Sequence, residues 1–413
     1  MTAFISLNER LVEAYPDPEL RRLAPGLSVA VEFSVGGQSI GLSVVDGRLF
    51  KGFTGAPTIR IDADESEWER VLCSPPVATY HSFTALQIAN PTFEVSGDAQ
   101  LIAQARPFLE RLFELVTLTP AAPAVAVERS VSQIQGRYAD VRVAGQPYEM
   151  YYEVAGEGIP LLFLHTAGAD GRQYFAQMAD VRMAQQFRMY AIDLPFHGKS
   201  MPPRTWDGAP YLLTSERYQQ WCTAFIEQVI GGPAIVVGGS MGAAMSLVLA
   251  AERPEQLIGV VALEPPFQSR GRRNPYQNHV QVHGGLHNGA YVRGLMSPTS
   301  PVEDRRRASW IYSQGGPGVY PGDLAFYSDE FDGAVTAPRI DAGRTPVALL
   351  SGTYDYSATP ADGAKLAELI PGALHLVMDG LGHFPMTEHP DHFRSYLMQG
   401  LAHVTHQSGL TTA

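Results

Sequence analysis

Apolar positions along this chain follow two periods, and the way they alternate divides it in two. In the first 118 residues, Leu27 to Val35 and Gln38 to Val45 alternate apolar with polar, the two-residue period of half-buried strands. Asp46-Gly47, between the second run and Arg48 to Phe53, reads as a tight hairpin turn. Thr58 to Ile61 and Thr92 to Val95 predict further strands. Helical spacing predicts one helix over residues 4–24, ending near Pro25-Gly26, and another from the acidic cap at Asp64 through Leu72. A third runs from Asp98 to Val116, where Leu101, Ala105, Phe108, Leu112 and Val116 share one face. Thr117-Leu118-Thr119-Pro120-Ala121-Ala122-Pro123-Ala124 then combines two prolines with small residues, an extended spacer.

Beyond the spacer, short apolar runs alternate with longer helical patterns, as in a largely parallel sheet covered by helices. Tyr138 to Val143 and Gln146 to Val154 predict an antiparallel opening pair around Ala144-Gly145. Six further strands are expected at Pro160 to His165, Phe187 to Ile192, Ala234 to Val237, Leu257 to Leu263, Val347 to Leu350 and Leu374 to Met378. Helices are expected over Ser215 to Ile230 and Met241 to Ala251. The expected architecture is therefore a small α+β domain (residues 1–118), a linker (119–128) and an α/β core (129–267 and 345–413) interrupted by an insertion (268–344). That insertion is far longer than the usual loop between strand and helix, which predicts a cap over the sheet edge.

Composition narrows the partners. The 30 basic and 42 acidic residues leave a formal charge of −12, which argues against nucleic acid or an anionic membrane as the main partner. No apolar run approaches the roughly 20 residues of a membrane span. The N-terminus lacks a basic segment followed by an apolar one. The two cysteines, Cys73 and Cys222, fit a reducing compartment. A soluble cytoplasmic protein is expected.

The candidate chemistry centres on Gly238-Gly239-Ser240-Met241-Gly242, placed between an apolar run and a helix-forming one. In that context Gly-x-Ser-x-Gly reads as a nucleophile elbow, in which the flanking glycines remove side chains that would collide with nearby backbone. Alone the pentapeptide is weak, because 40 of 413 residues are glycine and chance matches arise. Four more motifs sit in order around it: His165-Thr166-Ala167-Gly168, Asp193-Leu194-Pro195-Phe196-His197-Gly198-Lys199-Ser200, Ser351-Gly352-Thr353-Tyr354-Asp355 and Gly380-Leu381-Gly382-His383-Phe384-Pro385. With these five motifs the second part of the chain resembles the α/β-hydrolases. The first part is similar, over about 90 residues, to the sterol-carrier-protein type of lipid-binding domain, through Val45-Asp46-Gly47-Arg48, Thr58-Ile59-Arg60-Ile61-Asp62-Ala63 and Phe93-Glu94-Val95-Ser96-Gly97-Asp98. That resemblance implies an apolar tunnel; a packing or dimerisation module with a filled core is the alternative.

The α/β-hydrolase resemblance implies a triad in the order serine, acid, histidine: Ser240, Asp355 and His383. His389 is the rival histidine and Glu264, ending the sixth strand, the rival acid. It implies an oxyanion hole from the backbone N–H groups of Met241 and Ala167, with Thr166 where the family usually has glycine. Thr166, Trp310 and Tyr312 are expected to contact substrate. An inward arginine among Arg270, Arg272, Arg273, Arg305, Arg306 and Arg307 could hold a carboxylate, but these basic runs read first as solvated faces. His279, His283 and His287 are spaced by four, but Gly284-Gly285 breaks the helix between the last two and no cysteine accompanies them, so neither metal nor cofactor is expected. The expected activity is hydrolysis of a carboxylic ester or lactone of a medium-sized, partly apolar molecule. Carbon–carbon cleavage of a diketone is the second enzymatic reading, and an apolar-ligand carrier with a vestigial hydrolase fold the reading of another class. Self-association into a homodimer is left open.

Overall fold

The alternating segments near the N-terminus pair as expected, and their pairing sets the first of two sheets. The computed structural model describes residues 3–117 and 119–410; Met1, Thr2 and Leu118, within the expected first domain and spacer, and residues 411–413 lie outside the described residues. Strands β1 (Val29–Val35) and β2 (Gln38–Val45) run antiparallel with Val29 opposite Val44, and β3 (Arg48–Lys51) returns across the Asp46-Gly47 turn. Strand β4 (Ile59–Ala63) lies parallel to β1 on its other edge, and β5 (Glu94–Gly97) closes the order β3-β2-β1-β4-β5.

The filled centre of this layer is aromatic. Trp68 stands edge-on to Phe93 at 5.1 Å between ring centroids and donates its indole N–H to the Ser34 carbonyl at 2.8 Å. Phe33, Phe83, Phe108 and Phe113 pack in the same cluster. Edge-on aromatic pairs gain about 1 kcal/mol beyond the area they bury. The single helix expected over residues 4–24 is instead two, Ala3–Ala14 and Pro18–Leu23. Pro16 and Pro18 lack the N–H that would continue the first helix, and Asp17 caps the second by accepting from the Leu20 N–H at 2.7 Å. A helix not foreseen, Phe83–Ile88, starts at Ser82, whose hydroxyl accepts from the Ala85 N–H at 3.0 Å.

The second sheet has eight strands in the order β13-β12-β11-β10-β8-β9-β7-β6. Strands β6 (Gln135–Val143) and β7 (Gln146–Ala155) form the antiparallel opening pair. The others are parallel among themselves: β8 (Ile159–Leu164), β9 (Phe187–Ile192), β10 (Ala234–Gly239), β11 (Leu257–Leu263), β12 (Val347–Gly352) and β13 (Leu374–Met378). Both faces are covered, which is why these strands are continuously apolar rather than alternating. Along β10, Val236 faces a layer with Phe225 and Leu247, while Ile235 and Val237 face another with Phe393, Leu397 and Leu401.

Between β11 and β12 the chain leaves the sheet and builds the helices Gly284–Arg293, Val302–Tyr312 and Val319–Leu324. The first of these packs on the long helix Ala99–Val116 of the N-terminal layer. The contact is held by a buried charge cluster. Glu114 accepts from Arg111 at 2.9 Å, Arg293 at 2.5 Å and Arg305 at 2.8 Å, and Glu19 pairs with Arg293 at 2.5 Å and Arg306 at 2.8 Å. Burial raises the Glu114 pKa, but Arg305 and Arg293 outweigh it and hold the carboxyl at about 2. Among the described residues no helix is long and apolar enough to cross a membrane.

Removing one member of such a cluster leaves uncompensated buried charge, a loss of about 3–5 kcal/mol. Glu114→Gln is therefore expected to lower the unfolding free energy by that order, read from denaturant curves as a lower midpoint. Because the Glu114 pKa is depressed on folding, its stabilisation is present above about pH 4.5 and is lost as pH falls toward about 2. Denaturation curves across that window should fall more steeply for the native chain than for Glu114→Gln.

Candidate active site

The turn at the end of β10 can form only because two side chains are missing. Ser240 adopts φ 51° and ψ −107° between the strand and the helix Met241–Glu252. A Cβ on Gly238 would lie 2.1 Å from the Gly242 carbonyl oxygen, and one on Gly242 would lie 2.4 Å from the Leu164 oxygen. Both contacts are with backbone and cannot relax. The serine is thereby held in a left-handed conformation that side-chain-bearing residues rarely adopt.

The C-terminal ends of β10, β12 and β13 bring three of the expected residues together. His383 Nε2 lies 2.8 Å from Ser240 Oγ, and His383 Nδ1 lies 2.6 Å from Asp355 Oδ2. With Nδ1–H donating to the carboxylate, Nε2 is left to accept the serine proton. The other Asp355 oxygen accepts from the N–H groups of Ser357 at 2.6 Å and Ala358 at 3.1 Å, so the carboxylate cannot swing away. All three side chains are buried.

The two rivals have other partners. His389 Nε2 meets the Ala122 carbonyl of the spacer at 3.2 Å, far from the serine in its contacts. Glu264, at φ 50°, accepts from the Gly352 N–H at 2.8 and 3.0 Å. Burial first, and then the neighbouring Asp355 charge, push its pKa well above the usual carboxylate range. Glu388 is a further buried carboxyl, pushed up to about 7 by burial. It accepts from the Gly382 N–H at 2.5 Å and the Ser297 N–H at 3.2 Å, tying the His383 loop to the insertion.

Met241, first residue of its helix, and Ala167, after β8, carry the two N–H groups expected to face an oxyanion. Among the described residues neither N–H is taken by a hydrogen bond. The Thr166 N–H, by contrast, is spent on Gln173 Oε1 at 2.9 Å, and the Thr166 hydroxyl meets the Tyr312 hydroxyl. Thr166 and Tyr312 thus both line the space above Ser240. Trp310 does not. It is 62% exposed and lines surface grooves of about 420 and 450 Å³ instead. The cause is helical phase: in Val302–Tyr312 the positions buried are Arg305, Ala308, Ile311 and Tyr312, and Trp310 falls on the opposite face. The three histidines spaced by four also part: the His283 ring accepts from the Leu286 N–H at 3.3 Å, while His287 Nδ1 meets the Ala103 carbonyl at 3.1 Å.

Asp323 was not foreseen. It comes from the insertion helix Val319–Leu324, is fully buried, and accepts three bonds: from the Gly168 N–H at 2.7 Å, from His197 Nε2 at 2.8 Å and from the Tyr211 hydroxyl at 2.9 Å. Burial alone would lower the His197 pKa; the Asp323 charge and hydrogen bond raise it above the ordinary value. The Gly168 bond fixes the loop that carries Ala167. No local sequence signal marks an acid that is needed only where two distant segments meet.

A sequence profile of the alpha/beta hydrolase fold matches residues 159–390, more than half the chain. The chain belongs to the α/β-hydrolase family. This hydrolase is 27% identical over 272 residues to a pimeloyl-[acyl-carrier protein] methyl ester esterase of Chromobacterium violaceum, covering 61% of this chain and 98% of that protein. It is 23% identical over 300 residues to the 2-hydroxy-6-oxo-6-(2'-aminophenyl)hexa-2,4-dienoic acid hydrolase of Metapseudomonas resinovorans, covering 67% and 95%. Among solved structures, the enol-lactonase from Burkholderia xenovorans matches with a TM-score of 0.55 at 21% identity, covering 64% of this chain and 100% of that one. That likeness concerns the fold.

The Asp323 anchor predicts a separable effect. Asp323→Asn weakens the pairing with His197 and loosens the Gly168 loop, and is expected to lower kcat on an aryl ester by about tenfold with KM changing less, since a displaced oxyanion donor matters in the transition state. Steady-state kinetics checks this.

Proposed function

We propose that this hydrolase cleaves a carboxylic ester or lactone through a serine nucleophile and an acyl-enzyme. What supports the reading is one observation above all: the His383 imidazole sits between Ser240 Oγ and Asp355 Oδ2 within hydrogen-bond distance of both. A serine hydroxyl is a poor nucleophile without an adjacent base. In this reading His383 takes the Ser240 proton as the oxygen attacks the carbonyl, and Asp355 holds the ring and stabilises the imidazolium. The tetrahedral oxyanion accepts from the Met241 and Ala167 N–H groups, with the start of the Met241–Glu252 helix adding its dipole. The protonated imidazole then delivers the proton to the leaving alkoxide, and a water repeats the sequence to release the acid.

Carbon–carbon hydrolysis of a diketone is the second reading, favoured by the dienoic acid hydrolase among the relatives. Residues 1–118 are proposed to keep a sterol-carrier-like arrangement in which the aromatic core and the packing against the insertion serve as a scaffold. The enclosed space above Ser240 is about 30 Å³, room for a water or two. Substrates beyond a few atoms therefore require the insertion to shift, since ligand sites generally span about 300–1,000 Å³.

Ser240→Ala is expected to abolish turnover of a short 4-nitrophenyl ester, and equal rates in both proteins would reject the reading. Asp355→Asn is expected to lose about 10⁴ in kcat through the wrong imidazole tautomer. Glu264→Gln, which preserves a neutral group, should stay within about tenfold of the native rate. The reverse ranking would make Glu264 the acid.

A further inference from the structure

Two polar groups lining the space above Ser240, Arg272 Nε and the Tyr327 hydroxyl, lack partners among the described residues. Arg272, at the start of the insertion, lines it together with Ser240, His383 and the tyrosines Tyr291, Tyr320 and Tyr327. Its backbone is fixed at both ends: its N–H donates to Ser328 Oγ at 3.1 Å, and its carbonyl accepts from Gln277 Nε2 at 3.0 Å. Among the described residues its guanidinium has two long contacts, to the carbonyls of Tyr356 at 3.5 Å and Ser357 at 3.3 Å, both through one nitrogen. Its Nε is buried with no hydrogen-bond partner among the described residues. The Tyr327 hydroxyl lies beside Ser240 and Ser269 yet outside hydrogen-bonding geometry, and Ser269 Oγ is likewise buried and unpartnered.

The buried arginines of this chain fall into two groups: Arg106, whose Nε is also unpartnered, donates to the Thr84 hydroxyl at 2.7 Å and to Gln87 Oε1, whereas others pair with carboxylates. Arg111, Arg293 and Arg305 each meet a carboxylate at 2.9 Å or less. Among the described residues no carboxylate forms an ion pair with Arg272, and Asp355, already committed to His383, acts on it only from a distance. Arg272 as a whole is half-buried, but its Nε–H is buried, and leaving that donor unfilled is costly unless something else supplies the acceptor. A guanidinium offers a planar fork of donors that matches a carboxylate. The missing acceptor is therefore expected to arrive with the substrate.

We propose that Arg272 is the carboxylate anchor of this site, and that the substrate is a short ester whose acyl group carries a free carboxylate, a half-ester of a dicarboxylic acid. This rests on the serine-hydrolase reading and narrows it. Arg272 and Ser240 line the same space, so once the insertion has shifted to admit substrate, one end of a short acyl chain reaches Arg272 while the other presents its carbonyl to Ser240. The carboxylate accepts from Arg272 Nε–H and a terminal N–H, and the Tyr327 hydroxyl supplies a further donor. Anchoring the acyl group in this way turns binding energy into orientation at the serine. A carboxylate on a ring-fission dienoate presents the same chemistry at the other end of a longer chain, and the test separates the two.

The experiment uses the full chain and compares kcat/KM for the mono-4-nitrophenyl esters of succinate and glutarate with that for 4-nitrophenyl butyrate, in the native protein, Arg272→Met and Arg272→Lys. The native protein is expected to favour the anionic esters, with that preference falling about tenfold or more in Arg272→Met and part-way in Arg272→Lys. An anionic-to-neutral ratio that is the same in the native protein and Arg272→Met overturns the proposal. So does turnover of a ring-fission dienoate that depends on Arg272 with none of the half-esters. If no ester is turned over, the serine reading fails separately, and calorimetry with glutarate still decides for Arg272. Binding to the native protein that is lost in Arg272→Met supports the anchor, and equal or absent binding in both refutes it.

Discussion

Everything at the candidate site depends on a backbone reversal that two absent side chains permit. Gly238 and Gly242 let the chain pass within van der Waals range of itself and of β8, and Ser240 is carried at the apex in a left-handed conformation. The strain is local, of the order of 1–3 kcal/mol for such a residue. It is held by the bond from the Ser240 N–H to the Leu263 carbonyl on the neighbouring strand, and by the helix that follows, buried from Met241 to Ala250. The sheet is thus the frame that sustains an unfavourable turn, and the turn lifts a hydroxyl to where a histidine from a remote loop meets it.

The remainder of the site is a set of restraints on loops. Asp355 is pinned by two N–H groups from its own turn, the His383 loop by Glu388, and the loop after β8 by Asp323. Two of the three ties reach the insertion, through Ser297 for Glu388 and through Asp323 itself. The geometry above the serine is therefore a joint property of the sheet and of the helices that cover it. Buried carboxyl groups suit this task, because each accepts several N–H donors at once and fixes segments that share no regular structure.

Much of this was legible in the sequence, for a definable reason. Strands such as Phe187–Ile192, Leu257–Leu263 and Leu374–Met378 were read to the residue because a buried parallel strand is a bounded apolar run. Ser240, Asp355 and His383 were singled out by their positions just beyond such runs, where open sheets collect their functional loops, and the structure brings the three side chains within hydrogen-bond distance. What escaped was set by tertiary contact. Trp310 was placed in the site on its residue type, whereas the phase of its helix turns it to solvent. The break at Pro16-Asp17-Pro18 was readable and was passed over in favour of the apolar spacing around it. Asp323 and Glu388 carry no local mark, since their partners lie more than a hundred residues away for the one and across a turn and the insertion for the other.

The charge cluster around Glu114 bears on how separable the two layers are. Its acids come from the N-terminal layer and its buried arginines Arg293 and Arg305 from the insertion. Neither half is electrically complete alone: cut at the spacer, one piece keeps surplus anions and the other bare cations on a newly wetted surface. Excising the hydrolase layer as a chain of the usual smaller size would therefore call for replacing Arg293 and Arg305 as well as choosing a new start.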